Sequence, residues 1–429
     1  EQLTAPGDQK GMVKRDVIRV ITPGTNTLEE MLDGKVNHYL VSVVRDKTGT
    51  SYAVAMLDIV TGEFKVKKFK EADLTDVEDF LLNLTPSEII ADDALCREGK
   101  KLNSVVCERL VRFTPFYDYS FAFESAKERL LKQFSAYGLE ALGLNGEELA
   151  VCALGGLLEY VVSTQKRSLT HISVPQFEEE ADEMYIDFNT RRNLELTETL
   201  SDGKRNGSLL WVIDKTKTGM GARKIRTWLL HPLRKVEDVE KRQNAVQELV
   251  KSHTMRNGLG AVLSKIKDIE RLVTRISYGT INPRACLALG ASLNELPVLK
   301  KSISALKSDF FVELDSEYAD LSEVAATIEK TINPNAPATT KDGDYIRGGF
   351  NAELDELRRI KYDSSNIIAE FAARQREITG VAALKVGYNR IFGYYIEIPK
   401  NKSPDVLPEG YVRRQTVANA ERYVNEELM

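Results

Sequence analysis

The sequence predicts a multidomain protein that is α/β near its start, mainly α-helical through its middle and β again at its end. Three observations predict it. The chain has 429 residues, more than one ordinary domain of roughly 100–200 residues holds. β-rich runs separated by glycines fill residues 38–69 and then give way to helical patterns. Helical periodicity dominates from Asn189 to Gly380, and an alternating pattern returns at Leu384.

The elements follow in order. Met12 to Thr25, MVKRDVIRVITPGT, is a short β-rich stretch closed by a Pro-Gly turn. HYLVSVVRD and SYAVAMLDIVTGEFKVKKF, broken at Gly49 and Gly62, predict antiparallel hairpins. The run LTDVEDFLLNL predicts a helix, SEIIAD a short apolar strand, and 124–134 and 147–165 two more helices. Strands followed by helices define an α/β domain. Beyond Ile172 the strand signal fades. The longest helix candidate is Phe350 to Ile378, with Phe350, Leu354, Leu357, Ile368, Phe371 and Ile378 on one apolar stripe interrupted by Lys361 and Ser364. As one helix it would span roughly 40 Å at 1.5 Å per residue, either a strut between distant sites or a member of an ordinary bundle. LKVGYNRIFGYYIEI then predicts two strands around Asn389 and Arg390, with Tyr394, Ile396 and Ile398 on one face. YVRRQT is the last strand candidate, and Asn425 the N-cap of a new helix. An unfinished helix at one end and an orphan strand at the other suggest a piece of a larger protein.

Composition narrows the function classes. With 42% hydrophobic and 29% charged residues the chain is globular. A net charge of -5 provides no whole-chain basic field, so any nucleic-acid contact must be a local surface. Cys96, Cys107, Cys152 and Cys286 form no C-x-x-C pair, which argues against a zinc site or a disulfide framework and fits a cytoplasmic compartment. No apolar run reaches the roughly 18–20 residues of a membrane span, and EQLTAPGDQK is not a secretory signal.

Most chemical motifs are missing. A P-loop needs G-x-x-x-x-G-K-[ST], and the Gly-Lys pairs at 34, 99 and 203 lack both the upstream glycine and the following hydroxyl. Gly219 and Gly221 open a dinucleotide-like pattern, but Lys224 occupies its third glycine position, so helix entry is the better reading. His38, His171, His231 and His253 are too scattered for a metal site or a triad. Asp58, with Asp92 and Asp93 after the next apolar run, allows a two-metal nuclease as the enzyme alternative, provided those carboxylates converge.

The last β module is locally basic. Between Lys385 and Arg422 it carries seven Lys or Arg (385, 390, 400, 402, 413, 414, 422) against four acids (397, 405, 409, 421). The loop Lys400, Asn401, Lys402 and the run Arg413, Arg414, Gln415 mix cations with amide donors, the chemistry of phosphate contacts that do not read sequence. A solvated hairpin edge would carry similar residues.

Seven segments, KGMVKRDVIRVITPGT, LDIVTGEF, FNTRRNLELTETL, KTGMGARKIRTWLLHPL, RGGFNAELDEL, LKVGYNRIFGYYIEI and RRQTVANAERY, resemble those of bacterial MutS proteins in the family's order and run through nearly the whole chain. The resemblance implies that residues 1–35 are the tail of a mismatch-reading domain, whose Phe-x-Glu motif is absent here. It makes 36–165 a ribonuclease-H-like connector that meets MutL, 166–382 helical levers with a long helix, and 383–429 part of a clamp on double-stranded DNA. It places Arg413, Arg414, Gln415 and Asn419 nearest DNA, with Ala418 where relatives often carry a basic residue; Lys400, Asn401 and Lys402 are an addition from charge alone. It further implies a homodimer, ATP and Mg²⁺ for the full-length protein, with no catalytic residue, cofactor or metal in this chain and a monomer for the piece. The competing readings are the divalent-metal nuclease and a purely protein-binding scaffold.

Overall fold

The computed structural model describes residues 17–26, 33–72, 74–102, 113–166, 169–178, 183–362, 364–389, 393–402, 407–408 and 410–428. The chain divides into two units, Glu1–Tyr345 and Ile346–Met429.

In the first unit, β1 (Tyr39–Arg45), β2 (Tyr52–Asp58) and β3 (Glu63–Phe69) form the expected antiparallel hairpins. Asp46 Oδ1 accepts the Thr50 and Ser51 N–H groups at the first turn, and Gly49 supplies its positive φ of 78°. α1 (Leu74–Leu84), β4 (Glu88–Ala91), α2 (Asp93–Leu102) and β5 (Phe113–Pro115) come next, with β4 parallel to β1 and β5 parallel to β4. α3 (Phe123–Phe134) and α4 (Glu148–Gln165) match the expected helices.

The sheet order is β5-β4-β1-β2-β3 followed by a short strand at Gln176–Phe177, β6. β6 pairs parallel to β3 in a region where the sequence shows no strand signal. Two residues are too few to show alternation. Val17 to Thr22, expected as the end of a strand, lie outside any sheet; Val20 N instead donates to the Thr164 carbonyl at the end of α4. The earlier part of that expected strand, through residue 16, lies outside the described residues.

Strand alternation splits the core. Leu40, Ala53, Ala55, Leu57, Phe64 and Val66 pack toward α3 and α4, while Val41, Val43, Val54, Met56 and Ile89 pack toward α1 and α2. α4 is apolar nearly all round and correspondingly buried. Its Gly155 lets α3 approach so closely that an added Cβ would lie 2.4 Å from Ala126 Cβ and 2.5 Å from its Cα. Gly155→Ala should therefore incur an overpacking cost near the top of the usual range of about 1–3 kcal/mol. That outweighs the roughly 1 kcal/mol that alanine gains in helix propensity. A chemical denaturation midpoint equal to the parent's would show that the two helices can part.

Helices fill the rest of this unit: α5 (Phe188–Asn193), α6 (Leu209–Ile213), α7 (Gly219–Leu230), α8 (Val236–Lys251), α9 (His253–Leu263), α10 (Ile269–Ser277), α11 (Pro283–Ile303), α12 (Asp309–Ser316) and α13 (Ser322–Thr331). Gly219 and Gly221 do open a helix, capped by Thr218 Oγ1, which accepts the Gly221 N–H at 3.0 Å. Arg223 and Arg271, each 5% exposed, bind this region to the loop before β1. Arg223 donates to Gly34 O (2.9 Å), to both Asp268 oxygens (2.7 and 3.0 Å) and to Glu270 (2.5 Å). Arg271 donates to the carbonyls of Asp33 and Val36, both at 3.1 Å.

In the second unit, α14 (Ala352–Tyr362) and α15 (Ser364–Thr379) occupy the span expected as one long helix, and Asp363 between them lies outside the described residues. α11, with 21 residues, is longer than either. The expected apolar stripe is not a buried face: Phe350, Leu357 and Ile378 are exposed, and Phe371 is buried. Periodicity marks an apolar face but not what covers it. Phe371 packs with Val381, Leu384, Ile396, Ile398 and Tyr423 to form a small core beneath a four-stranded sheet.

That sheet comprises β7 (Lys385–Asn389), β8 (Gly393–Pro399), β9 (Val412–Thr416) and β10 (Ala420–Val424), in the order β7-β8-β10-β9. β10 is a strand that the local sequence pattern does not separate from the helix expected after it. Asn425 does act as a cap, its Oδ1 accepting the Leu428 N–H at 3.1 Å, but the capped element is a single 3-10 turn, Glu426–Leu428.

Candidate nucleic-acid interface

β9 is the edge strand of the small sheet, and all five of its residues are exposed. The arginines at 413 and 414 therefore face solvent, not a packed interior. Pairing with β10 sets Gln415 opposite Arg422 and Arg413 opposite Tyr423, which leaves Arg414 as the extra residue of a β-bulge. Strict alternation would put Arg413 and Gln415 on one face. The bulge instead matches Gln415 to the outer face and Arg413 to the face of the core residue Tyr423.

The two stretches singled out by charge meet at one end of this sheet. The 3-10 turn Lys400–Lys402 comes directly after β8, and the turn between β9 and β10 is closed by Val417 N donating to Ala420 O at 2.9 Å. Lys400 N donates to Asn419 O at 3.1 Å, and Lys400 Nζ reaches Ala418 O at 3.3 Å. An ammonium group thus stands beside Ala418, the position where the resemblance implies a missing cation. Asn401 and Asn419 are exposed, and the Lys402 side chain lies outside the described residues.

Not every cation is equally available. Arg413 pairs with Glu421 (3.0 Å) and Arg422 with Glu397 (2.9 Å). Arg422 also lies over the Tyr395 ring, 4.4 Å from its centroid, and donates to Gln415 Oε1 at 2.9 Å. An arginine has only donors, so the Gln415 oxygen must face it and the NH2 group is left pointing away. Lys400 and Arg414 have no ion pair among the described residues. Glu397, Glu421 and Tyr395 were not singled out from the sequence; their roles depend on cross-strand register.

The first unit contains a cleft of about 1030 Å³ whose lining includes Lys65, Arg191 and Arg226 but also Glu63, Glu178 and Glu270. Its signs are mixed, unlike the β9 edge. The carboxylates considered for two-metal chemistry do not converge. Asp58 is level with Tyr39, while Asp92 lies two residues beyond Ile90, which is level with Ser42. That is five steps along β1, roughly 16 Å at 3.3 Å per residue, against paired cations about 4 Å apart. Each carboxylate instead shapes its own turn. Buried Asp58 accepts the N–H groups of Val60, Thr61 and His38, and burial raises its pKa. Asp92 Oδ1 accepts the Leu95 N–H at 2.7 Å at the start of α2, and Asp93 pairs with Arg97.

Exposed cations on an edge strand give the four-stranded sheet the features of a binding surface. Sequence profiles agree on the chain's family: that of MutS domain II matches residues 38–173 and that of MutS domain III matches residues 189–421. The chain belongs to the MutS family. Two relatives named DNA mismatch repair protein MutS, from Chlorobaculum parvum and Clostridium tetani, are 38% identical over 425 residues and 39% identical over 434. The alignments cover 99% and 100% of this chain but 48% and 47% of the relatives. The chain spans about half the length of the curated relatives it matches. No helix among the described residues is long and apolar enough to cross a membrane.

Proposed function

We propose that this chain grips double-stranded DNA through its four-stranded sheet, by phosphate contacts that do not read sequence, as the connector, lever and clamp portion of a mismatch-repair protein. The observation that carries this reading is the cationic end of that sheet, where Arg414 stands exposed at a bulge beside Arg413 and Gln415, with Lys400 and Asn419 at the adjoining turn. Family membership supports it, as do the names of the relatives. In this reading 1–35 are the tail of a mismatch-reading domain, 36–165 the connector, 166–382 the levers and 383–429 part of the clamp. A three-strand antiparallel meander continued by two parallel strands supports describing the connector as ribonuclease-H-like.

The work is mechanical. The chain carries no G-x-x-x-x-G-K-[ST] run, so its residues do not fit a nucleotide phosphate cradle. We assign ATP, Mg²⁺ and hydrolysis to the full-length protein, together with a homodimer; the chain alone is a cytoplasmic monomer whose connector offers a surface to MutL.

Titration with duplex DNA at several salt concentrations tests the grip. If Lys400, Arg413 and Arg414 each meet one phosphate, a slope of up to about 0.9 in magnitude per contact weakens binding by up to about 40-fold between 50 and 200 mM salt. Matched and mismatched duplexes should bind equally, and ATP should not be consumed. Salt-independent affinity would refute the phosphate contacts, and a strong mismatch preference would refute their blindness to sequence.

A further inference from the structure

Glu421 is placed where a phosphate on Arg413 would have to compete with it. The two residues sit diagonally across β9 and β10 on the same face, with Arg413 opposite Tyr423 and Glu421 opposite Thr416. Glu421 Oε1 accepts from Arg413 NH1 at 3.0 Å, and its other oxygen accepts the Tyr423 hydroxyl. Tyr423 is buried in the small core, so the carboxylate is fixed from below. Arg413 itself is largely exposed, with a side chain 60% accessible, and its other N–H groups have no partner among the described residues.

We propose that Glu421 is a built-in competitor for the phosphates of bound DNA at Arg413, holding the grip weaker than its cations alone would make it. The inference rests on the DNA-binding reading above. A phosphate that reaches Arg413 shares one guanidinium with a fixed carboxylate. The cation is already partly neutralised, so the contact is worth less than a full one. The Tyr423 hydrogen bond, and then Arg413, hold the Glu421 carboxyl below the usual carboxylate range, so it is ionised at neutral pH. Arg414, on the same strand, has no such counter-ion among the described residues. The strand thus carries one restrained cation and one unrestrained cation side by side.

The test is the affinity of the whole chain for a duplex across a salt series, for the parent, Glu421→Gln, Arg413→Gln and the double variant. Glutamine keeps an acceptor for Tyr423, and a thermal melt confirms that the fold is retained. Glu421→Gln is expected to tighten binding about fivefold and to steepen the salt slope by up to about 0.9, the value of one released contact. In the Arg413→Gln background the same change should do little, because no arginine is left to free. A parent that binds DNA while Glu421→Gln changes neither affinity nor slope overturns this inference and leaves the DNA reading standing. Equal tightening with and without Arg413 also overturns it, in favour of a general charge effect. If neither protein binds duplex at low salt, both fail together.

Discussion

Arg223→Ala is expected to lower the unfolding free energy by about 3 kcal/mol, the low end of the 3–5 kcal/mol typical of breaking a buried ion pair. Arg223 is 5% exposed and ties α7 to two other elements, the loop before β1 through Gly34 O and α10 through Asp268 at its start and Glu270 within it. Burial alone would lower its pKa, but hydrogen bonds and charge from Asp268 and Glu270 more than offset this and raise it. Its loss leaves Glu270 without its ion pair, Asp268 with only the longer 3.7 Å contact to Arg271, and one carbonyl without a donor. The lower end applies because the Asp268 and Glu270 side chains retain 20% and 51% of their accessibility, so water can partly replace the arginine. Gly219 belongs to the same joint: an added Cβ there would lie 2.7 Å from Asp268 Oδ2 and 3.1 Å from Gly34 O. Urea denaturation followed by circular dichroism would measure the change. A loss below about 1 kcal/mol would place Arg223 with ordinary surface pairs.

The second large effect is on binding. Reversing both charges, Arg413→Glu with Arg414→Glu, should weaken duplex affinity by about two orders of magnitude at 50 mM salt. It should also reduce the salt slope by between about 0.9 and 1.8, a full contact at Arg414 and a restrained one at Arg413. Both side chains are on the exposed edge strand and outside the small core of Phe371, Ile396, Ile398 and Tyr423, so the fold should survive. Fluorescence anisotropy with a labelled duplex gives both numbers. Unchanged affinity in a folded double variant would move the function to the protein-binding scaffold reading, with the connector as its active surface.

Much of this architecture is legible in the sequence, for identifiable reasons. The first three strands are β-rich runs punctuated at Gly49 and Gly62, and the hairpins form where those glycines adopt positive φ of 78° and 79°. α4 reads as a helix because its apolar run exceeds any strand length. β10 does not read as a strand, because A-E-R-Y-V lacks clean alternation and the N-E-E-L after it resembles a helix start. Its position at the centre of the sheet comes from pairing with β8 and β9, which no local pattern records. The site divides in the same way. Arg413, Arg414 and Lys400 are visible as charge, whereas the carboxylates that restrain two of the module's arginines, and the meeting of Lys400 with Asn419, arise from register alone. Asp58 misled in the opposite direction: a strand-ending acid looks available for catalysis until its oxygens are found committed to backbone N–H groups.

The extra residue in β9 has an evolutionary corollary. Because Arg413 and Gln415 already have partners in the ladder, position 414 stands outside the pairing scheme. A lineage can gain, lose or exchange a side chain there without any neighbour changing its mate. Under the proposed function, the tightness with which this surface would hold a polyanion is therefore free to drift one charge at a time while the architecture beneath stays fixed.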